Sequence, residues 1–304
     1  MNKLLLKLLT LWIGTLALSS YAAAEQFNLR TPSKVQIDYQ PFSGLPVSTN
    51  VKVQLRFNNN SQQDNTNQRE EFRIRFTPSQ GNFFAVDKNG NRLPVQFTSR
   101  QNNSQLRHIG NQFVANVSLN PEQRKNYDFD YTVSLNESQF AKPGVYRLLL
   151  DVDLTTLTTN EIISNETRVE IEVIVDAKLQ ASIAGAHTQK NGGAKFAIIN
   201  FGELETGETE KVSLHIRGNT DANITLSSEN NGRMKHKTAH HSFIDYSINF
   251  DGTNSKLKSP LNLIRPVAEN LSGSAFPLAI TVGEVRGAYS GRYRDIITIN
   301  VDPY

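Results

Sequence analysis

The sequence predicts an all-β protein of two immunoglobulin-like sandwich domains, and three observations lead to this fold class. Apolar residues recur at every second position through most of the chain after residue 24, as they do in half-buried strands. No stretch of that region has the 3.6-residue apolar period of an amphipathic helix. Turn residues separate the alternating segments, and the pattern restarts near Asp176, which predicts a second domain there.

The first 24 residues have the pattern of a secretory signal peptide. Lys3 and Lys7 precede an apolar run from Leu8 to Leu18, and three alanines precede Glu25. This run is shorter than the roughly 18 apolar residues that a membrane span requires. We therefore expect residues 1–24 to be removed and the mature protein to be exported without a membrane span.

Charge and cysteine content narrow the class of protein further. The formal net charge of +3 falls to +1 when the two lysines of residues 1–24 are removed. Basic and acidic residues are nearly balanced in both halves: Lys plus Arg against Asp plus Glu is 16 against 17 in residues 25–176 and 14 against 12 in residues 177–304. Such a balance argues against a nucleic-acid partner. The chain has no cysteine, so an exported domain must derive its stability from its core rather than from disulfides.

Residues 25–176 are predicted to form the first sandwich. Asn89-Gly90 and Pro143-Gly144 predict turns, and the polar segment 58–71 is expected to be a loop. The clearest strands of this half are VKVQLRF, EFRIRF, QFVANVSL, YDFDYTVSL, VYRLLLDVDL and RVEIEVIV.

Two apolar pairs in this half are candidates for exposed contact loops. Phe42 and Leu45 lie in a turn rich in proline and glycine, and Phe83 and Phe84 follow Gly81. Exposed apolar side chains held at loop tips would press on a hydrophobic surface. The alternative is that these residues are ordinary core anchors, because most large apolar side chains of a sandwich are buried.

Residues 177–304 are predicted to form a second sandwich that ends on a half-buried strand. Ile297, Ile299 and Val301 fall on one side of that strand and polar residues fall on the other, so the strand needs a neighbour along its far edge. Asn231-Gly232 and Asp251-Gly252 predict turns. The other strands expected here are KLQASI, KFAIINFGEL, KVSLHIR, ANITLSS, FIDYSINF and PLAITVGEV.

Three motifs follow one another in this half and carry a family resemblance. The first is an FG-x-L-x-x-G turn at Phe201, Gly202, Leu204 and Gly207. The second is the segment SSENNG at 227–232, and the third is a G-x-Y-x-D run at Gly291, Tyr293 and Asp295, before the terminal strand. With them, residues 177–304 resemble the spore coat protein U-like domain of pilins of the archaic chaperone–usher class. Many such domains carry a disulfide, which this chain lacks.

The resemblance implies a pilin-type sandwich that lacks its last strand. The gap would be filled first by a periplasmic chaperone and then by the N-terminal extension of the adjacent pilus subunit, with an outer-membrane usher as a further partner. Ile297, Ile299 and Val301 would then form one lip of the groove that accepts the donor strand. The protein would pass through the periplasm of a Gram-negative bacterium and end in a cell-surface fimbrium.

The two-domain plan resembles that of a tip adhesin, which implies that residues 25–176 are the binding domain and contact a host or abiotic surface. Phe42, Leu45, Phe83 and Phe84 would then be the candidate adhesive residues. A shaft subunit needs a donor segment ahead of its fold. Here the segment between residue 24 and Pro32 offers only two large apolar residues, Phe27 and Leu29, and Pro32 then interrupts ladder pairing. This favours a chain without a donor strand, at the tip. The alternative is a short donor at residues 25–31.

The sequence predicts neither an enzyme nor a cofactor site. GxSxG, P-loop and cysteine nucleophile patterns are absent. Asp128 with Asp130, and Asp151 with Asp153, share strand faces and are expected to face solvent.

Histidines suggest a metal site in only one place. His236, His240 and His241 are close in sequence, but Lys235 and Lys237 would repel a cation, so a solvated basic loop is the preferred interpretation and no metal site is predicted. Two other functions remain open at this point, a periplasmic fimbrial chaperone and a surface glycan-binding module.

Overall fold

The computed structural model describes residues 27–57, 70–99, 106–119, 126–137, 139–184, 187–191 and 194–304. These residues form strands joined by turns and bends, with no helix among them, as the alternating pattern predicts. Within those ranges there is accordingly no helix long and apolar enough to cross a bilayer. The predicted signal peptide and residues 58–69 of the polar loop lie outside the described residues.

The chain divides into two compact units between Ile174 and Val175, with the short segments 40–44 and 138–144 grouped with the second unit. The first part of the chain contributes twelve described strands. They are β1 (Phe27–Arg30), β2 (Lys34–Tyr39), β3 (Val47–Phe57), β4 (Glu70–Pro78), β5 (Phe84–Val86), β6 (Arg92–Pro94), β7 (Gln96–Ser99), β8 (Arg107–Ile109), β9 (Gln112–Leu119), β10 (Asn126–Leu135), β11 (Gly144–Thr156) and β12 (Thr167–Val175).

The first unit is a β-sandwich. One sheet has the order β1-β3-β10-β7 and the other β2-β12-β11-β4-β9-β8, where β5 also pairs with β11 and β6 pairs with β5. Their inner faces meet in the core, where the Tyr131 ring of the first sheet packs edge-on against Phe76 of the second, with 4.9 Å between centroids. Alternation places the apolar side chains inward, as in the eBeBeB burial pattern of β2.

Two expectations for this unit are wrong. Asp153 does not face solvent, since it is 7% exposed and its carboxylate accepts two hydrogen bonds from Arg75, Nε to Oδ1 at 2.6 Å and Nη2 to Oδ2 at 2.8 Å. A guanidinium directly across the ladder satisfies both oxygens, which makes the burial tolerable. Glu70 and Glu71, expected in the polar loop, begin β4 instead.

Twelve described strands lie in the remainder of the chain. They are β13 (Leu179–Ala184), β14 (His187–Asn191), β15 (Ala194–Ile198), β16 (Thr209–Gly218), β17 (Ala222–Ser228), β18 (Arg233–His236), β19 (Phe243–Phe250), β20 (Thr253–Ser255), β21 (Leu261–Arg265), β22 (Ser274–Val282), β23 (Tyr293–Arg294) and β24 (Ile297–Pro303). KFAIINFGEL was expected to be one strand, but it is strand only to Ile198 and continues as a loop.

The second unit is also a sandwich. A sheet of order β13-β16-β22-β19-β18-β23, with β20 beside β19, faces a three-stranded sheet of order β21-β17-β24, and β14 pairs with β15. One apolar core joins the two sheets. The Asp251-Gly252 turn is confirmed, because both residues have positive φ, 46° and 81°, and Phe250 pairs with Thr253 across a two-residue loop.

Candidate functional site

The last strand of the second unit has a neighbour on one side only. β24 pairs with β17 along its full length, from Ile297 opposite Ser228 to Pro303 opposite Ala222. No described strand pairs with its other edge. Alternate backbone N–H and C=O groups of an edge strand point away from its neighbour. β24 therefore presents a free hydrogen-bonding edge within the described structure.

The apolar face of β24 is open as well. Ile299 and Val301 are only half-buried, although Leu226 and Ile224, directly across the ladder on β17, are fully buried at 0% exposure. The same contrast holds for β13, where Ile183 is half-buried. In both edge strands the inward side chains lack cover that their central neighbours have.

A cleft of about 900 Å³ opens between these edges. Apolar side chains are the most numerous along it, while polar and backbone atoms supply somewhat more than half of the surface exposed within it. The apolar side chains along it come from both sheets and from the loops that flank β16 and β23: Ile183, Ile199, Phe201, Leu204, Val212, Met234, Ile244, Leu278, Ile280, Val285, Ala288, Ile297 and Ile299. Val301, expected on the same lip, lies outside this cleft.

The motif residues from distant parts of the sequence meet at this cleft. Phe201, Gly202 and Leu204 line it from the loop before β16, and three further motif residues, Gly291, Tyr293 and Asp295, line it from around β23. The seventh motif residue, Gly207, lies outside the lining. Its N–H bonds the carbonyl of Val282 at 3.0 Å and so fixes the same loop to the end of β22.

Asp295 is the hydrogen-bonding centre at this end of the cleft. Its Oδ2 accepts from Ser228 Oγ at 2.6 Å and from the Tyr246 hydroxyl at 2.5 Å, and its Oδ1 accepts from the N–H and Nδ2 of Asn230 at 3.1 and 2.8 Å. Burial, followed by the bond to Asp295, raises the pKa of the Tyr246 hydroxyl above its ordinary value of 10.0, so this group remains a donor. The carboxylate thus ties the start of β24 to both sheets.

Gly291 is required by a close approach to a buried histidine. Nδ1 of His236 accepts the N–H of Ala239 at 2.8 Å, which leaves the ring proton on Nε2 to donate to the Ser290 carbonyl at 3.2 Å. A Cβ on Gly291 would collide with the His236 ring. The interpretation of His236 as part of a solvated basic loop is therefore wrong, because it is 6% exposed and ends β18, while His240 and His241 are exposed.

The four candidate adhesive residues differ in exposure. Leu45 is 66% exposed, and Phe42 and Phe84 are half-buried. Phe83 is buried, with its ring centroid 3.9 Å from that of Phe113, so it is a core anchor and not an exposed finger. Its position one residue before β5 turns it inward and leaves Phe84 toward the surface.

The N-terminal segment that might have served as a donor is built into the first unit. β1 pairs with β3, and Leu29 is 1% exposed. On the other side of β1, the Asn165 side chain accepts the N–H of Leu29 at 2.7 Å and donates to its carbonyl at 3.1 Å. The strand ends at Arg30, ahead of Pro32, and the chain then enters the other sheet as β2.

The sequence did not single out the floor of the cleft. Tyr246 and Ile244 alternate on the inward side of FIDYSINF, which is the signal that they are buried. Alternation shows that these side chains point inward, but it does not reveal that they face an opening rather than another strand of the protein.

No protein-family model matches the chain, and no curated protein matches its sequence. The solved structures to which it is similar include fimbrial proteins. A chain of the CsuC–CsuE chaperone–tip adhesion subunit pre-assembly complex, from the archaic chaperone-usher Csu pili of Acinetobacter baumannii, is 15% identical with a TM-score of 0.49, and 91% of this chain and 99% of that chain are covered. The CupB6 tip adhesin of Pseudomonas aeruginosa is 9% identical with a TM-score of 0.43, covering 91% and 93%.

Proposed function

We propose that this protein is an exported, non-enzymatic subunit of a chaperone–usher pilus whose second unit accepts a β-strand from another polypeptide. The observation that carries the proposal is the free edge of β24 beside a cleft of about 900 Å³ along which apolar side chains from both sheets are exposed. A strand laid along that edge would gain backbone hydrogen bonds and place alternate side chains in the cleft. The resemblance of residues 177–304 to spore coat protein U-like pilins supports the same interpretation.

The energetics explain why a chaperone would be needed. About four large apolar side chains entering the cleft would contribute a gross gain of about 6 to 12 kcal/mol before ordering costs. Without that strand, the edge of β24 and its half-buried face would favour aggregation. A periplasmic chaperone would supply the strand first, and the adjacent subunit would replace it at the outer-membrane usher.

The first unit supports a place at the tip of the fibre. The segment that a shaft subunit would donate is occupied as β1, paired with β3 and clamped by Asn165. The first unit would then serve as the binding domain on a host or abiotic surface, with Leu45 and Phe84 as its candidate contacts. Phe42, the third candidate near the surface, belongs to the short segment grouped with the second unit.

The absence of native cysteine permits a direct test of the cleft. Ile299→Cys places a thiol in the cleft, and Thr298→Cys places one on the exposed outer face of the same strand as a matched control. The mature chain is refolded with or without a synthetic peptide of alternating valine and threonine, and maleimide labelling is followed. We expect the peptide to slow labelling of Ile299→Cys and raise the thermal midpoint, while labelling of Thr298→Cys is unchanged. Equal labelling of Ile299→Cys in both samples, without stabilisation, would contradict the proposal.

A further inference from the structure

A basic surface lies beside the cleft on the outer side of β18 and β23. It consists of Arg233, Lys235, Lys237, Arg292 and Arg294, which we call the basic face. His236 and Tyr293, which alternate with these residues, turn inward and pack edge-on with 4.9 Å between ring centroids. The cationic side chains of the two strands are therefore directed away from the core.

One of these cations has an acidic neighbour, since Arg233 lies opposite the exposed Asp245 in the ladder and its guanidinium is 4.3 Å from the Phe243 ring centroid. Lys235 lies directly opposite Arg294 in the ladder, an arrangement of like charges that destabilises a strand pair. None of the five basic residues forms an ion pair within the part of the chain described here. The nearby carboxylate of Asp295 is engaged by neutral donors. The like-charge pairing of Lys235 with Arg294 is explained if an anionic partner covers the two side chains.

The basic face is continuous with the cleft. Arg292 and Arg294 are among the residues along the cleft, and β24 begins three residues after Arg294. A different wall of the cleft carries Glu203, and the acidic residues Glu205 and Glu208 follow on the same loop. A polypeptide that leaves the cleft over β23 would therefore meet the positive charge on the outer side of that strand, and one that leaves over the loop before β16 would meet negative charge.

We propose that the basic face binds acidic residues adjoining the apolar segment that fills the cleft, so that charge fixes which end of that segment lies beside β23. This inference rests on the proposed function, because it needs a strand in the cleft. A polypeptide fits better than an anionic glycan, since two of the five cations line the cleft itself. Complementary charge of this kind speeds encounter and sets register as well as adding affinity.

The test compares fluorescent peptides that share one alternating valine and threonine core. Asp-Glu-Asp is placed at the N-terminus in one peptide and at the C-terminus in another, and Asn-Gln-Asn replaces it in neutral controls. Affinity for the refolded mature chain is measured at low and high salt. Since exposed ion pairs contribute about 0.2 to 1 kcal/mol each, we expect the acidic run at one end only to tighten binding roughly 5- to 10-fold at low salt, and the gain to fade at high salt.

Paired variants locate the effect. Lys235→Gln/Arg294→Gln should abolish the difference between acidic and neutral peptides, and it should unfold at the same or a higher temperature because it removes a like-charge pair. Lys211→Gln/Lys258→Gln, which removes the same charge at other exposed positions of the unit, should keep the difference.

The outcomes separate the two proposals. If no core peptide binds, the proposed function fails and this inference fails with it. If acidic and neutral peptides bind equally at every salt concentration, only the inference on the basic face is overturned. It is also overturned if Lys235→Gln/Arg294→Gln weakens binding of dextran sulfate but leaves the difference between the peptides intact, because the face would then recognise an anionic glycan.

Discussion

Asp295→Ala should strongly destabilise the second unit, because one carboxylate accepts four hydrogen bonds from Ser228, Asn230 and Tyr246. Hydrogen bonds to a charged group contribute about 1.5 to 3 kcal/mol each, but their losses overlap once water enters the gap. We therefore expect the free energy of unfolding to fall by about 3 to 4 kcal/mol, a large part of the stability of a typical domain.

The assay is denaturant unfolding of the mature chain with the strand peptide bound, followed by circular dichroism. Asp302→Ala is the matched control, since Asp302 lies on the same strand and is exposed, and it should change stability by less than about 0.5 kcal/mol. Asp295→Asn, which keeps one acceptor oxygen, should lie between the two. A loss below about 1 kcal/mol for Asp295→Ala, or an equal loss for Asp302→Ala, would refute the reasoning that Asp295 braces the cleft.

Two further predictions concern backbone strain and the first strand. Gly252→Ala should lower the free energy of unfolding by about 1 kcal/mol, because the left-handed backbone conformation is the only obstacle to a Cβ there. Gly232→Ala has a similar φ but should cost about 2 kcal/mol more, because its Cβ would collide with the Lys256 carbonyl. Equal thermal shifts for the two variants would contradict this. Leu29→Ala should cost the first unit about 2 to 5 kcal/mol while the exposed neighbour variant Asn28→Ala is nearly neutral. Unchanged unfolding of Leu29→Ala would mean that this segment is free to act as a donor.

Alternation was enough to predict the long strands. ANITLSS matches β17 at both ends, because it buries every second side chain between two sheet neighbours. QFVANVSL matches the bounds of β9, although the side chains buried in its described part, Val114 and Val117, are three positions apart. The expectation that β24 has apolar residues on one side also holds, since Ile297, Ile299 and Val301 pack against the core cluster. The domain limits 25–176 and 177–304 stay predictions.

The short elements depend on contacts that local sequence does not encode. β18 and β23 together hold six residues, and they pair because His236 is buried under Gly291, more than fifty positions later in the chain. A run of lysines and histidines therefore looked solvated. The burial of Asp153 has the same cause, since its partner Arg75 arrives from a strand that is distant in sequence. The cleft itself lies beside an edge of β24 that no described strand pairs with, and side-chain periodicity does not report such an edge.

The seven-residue ladder between β17 and β24 has a mechanical consequence. A guest strand seated on the opposite edge of β24 would lie along the same axis, so a pull along that axis would load all of its backbone bonds together in shear. Peeling, in which bonds break one after another, would require a force across the strand instead. A subunit joined in this way would resist tension along the strand far better than force applied from the side.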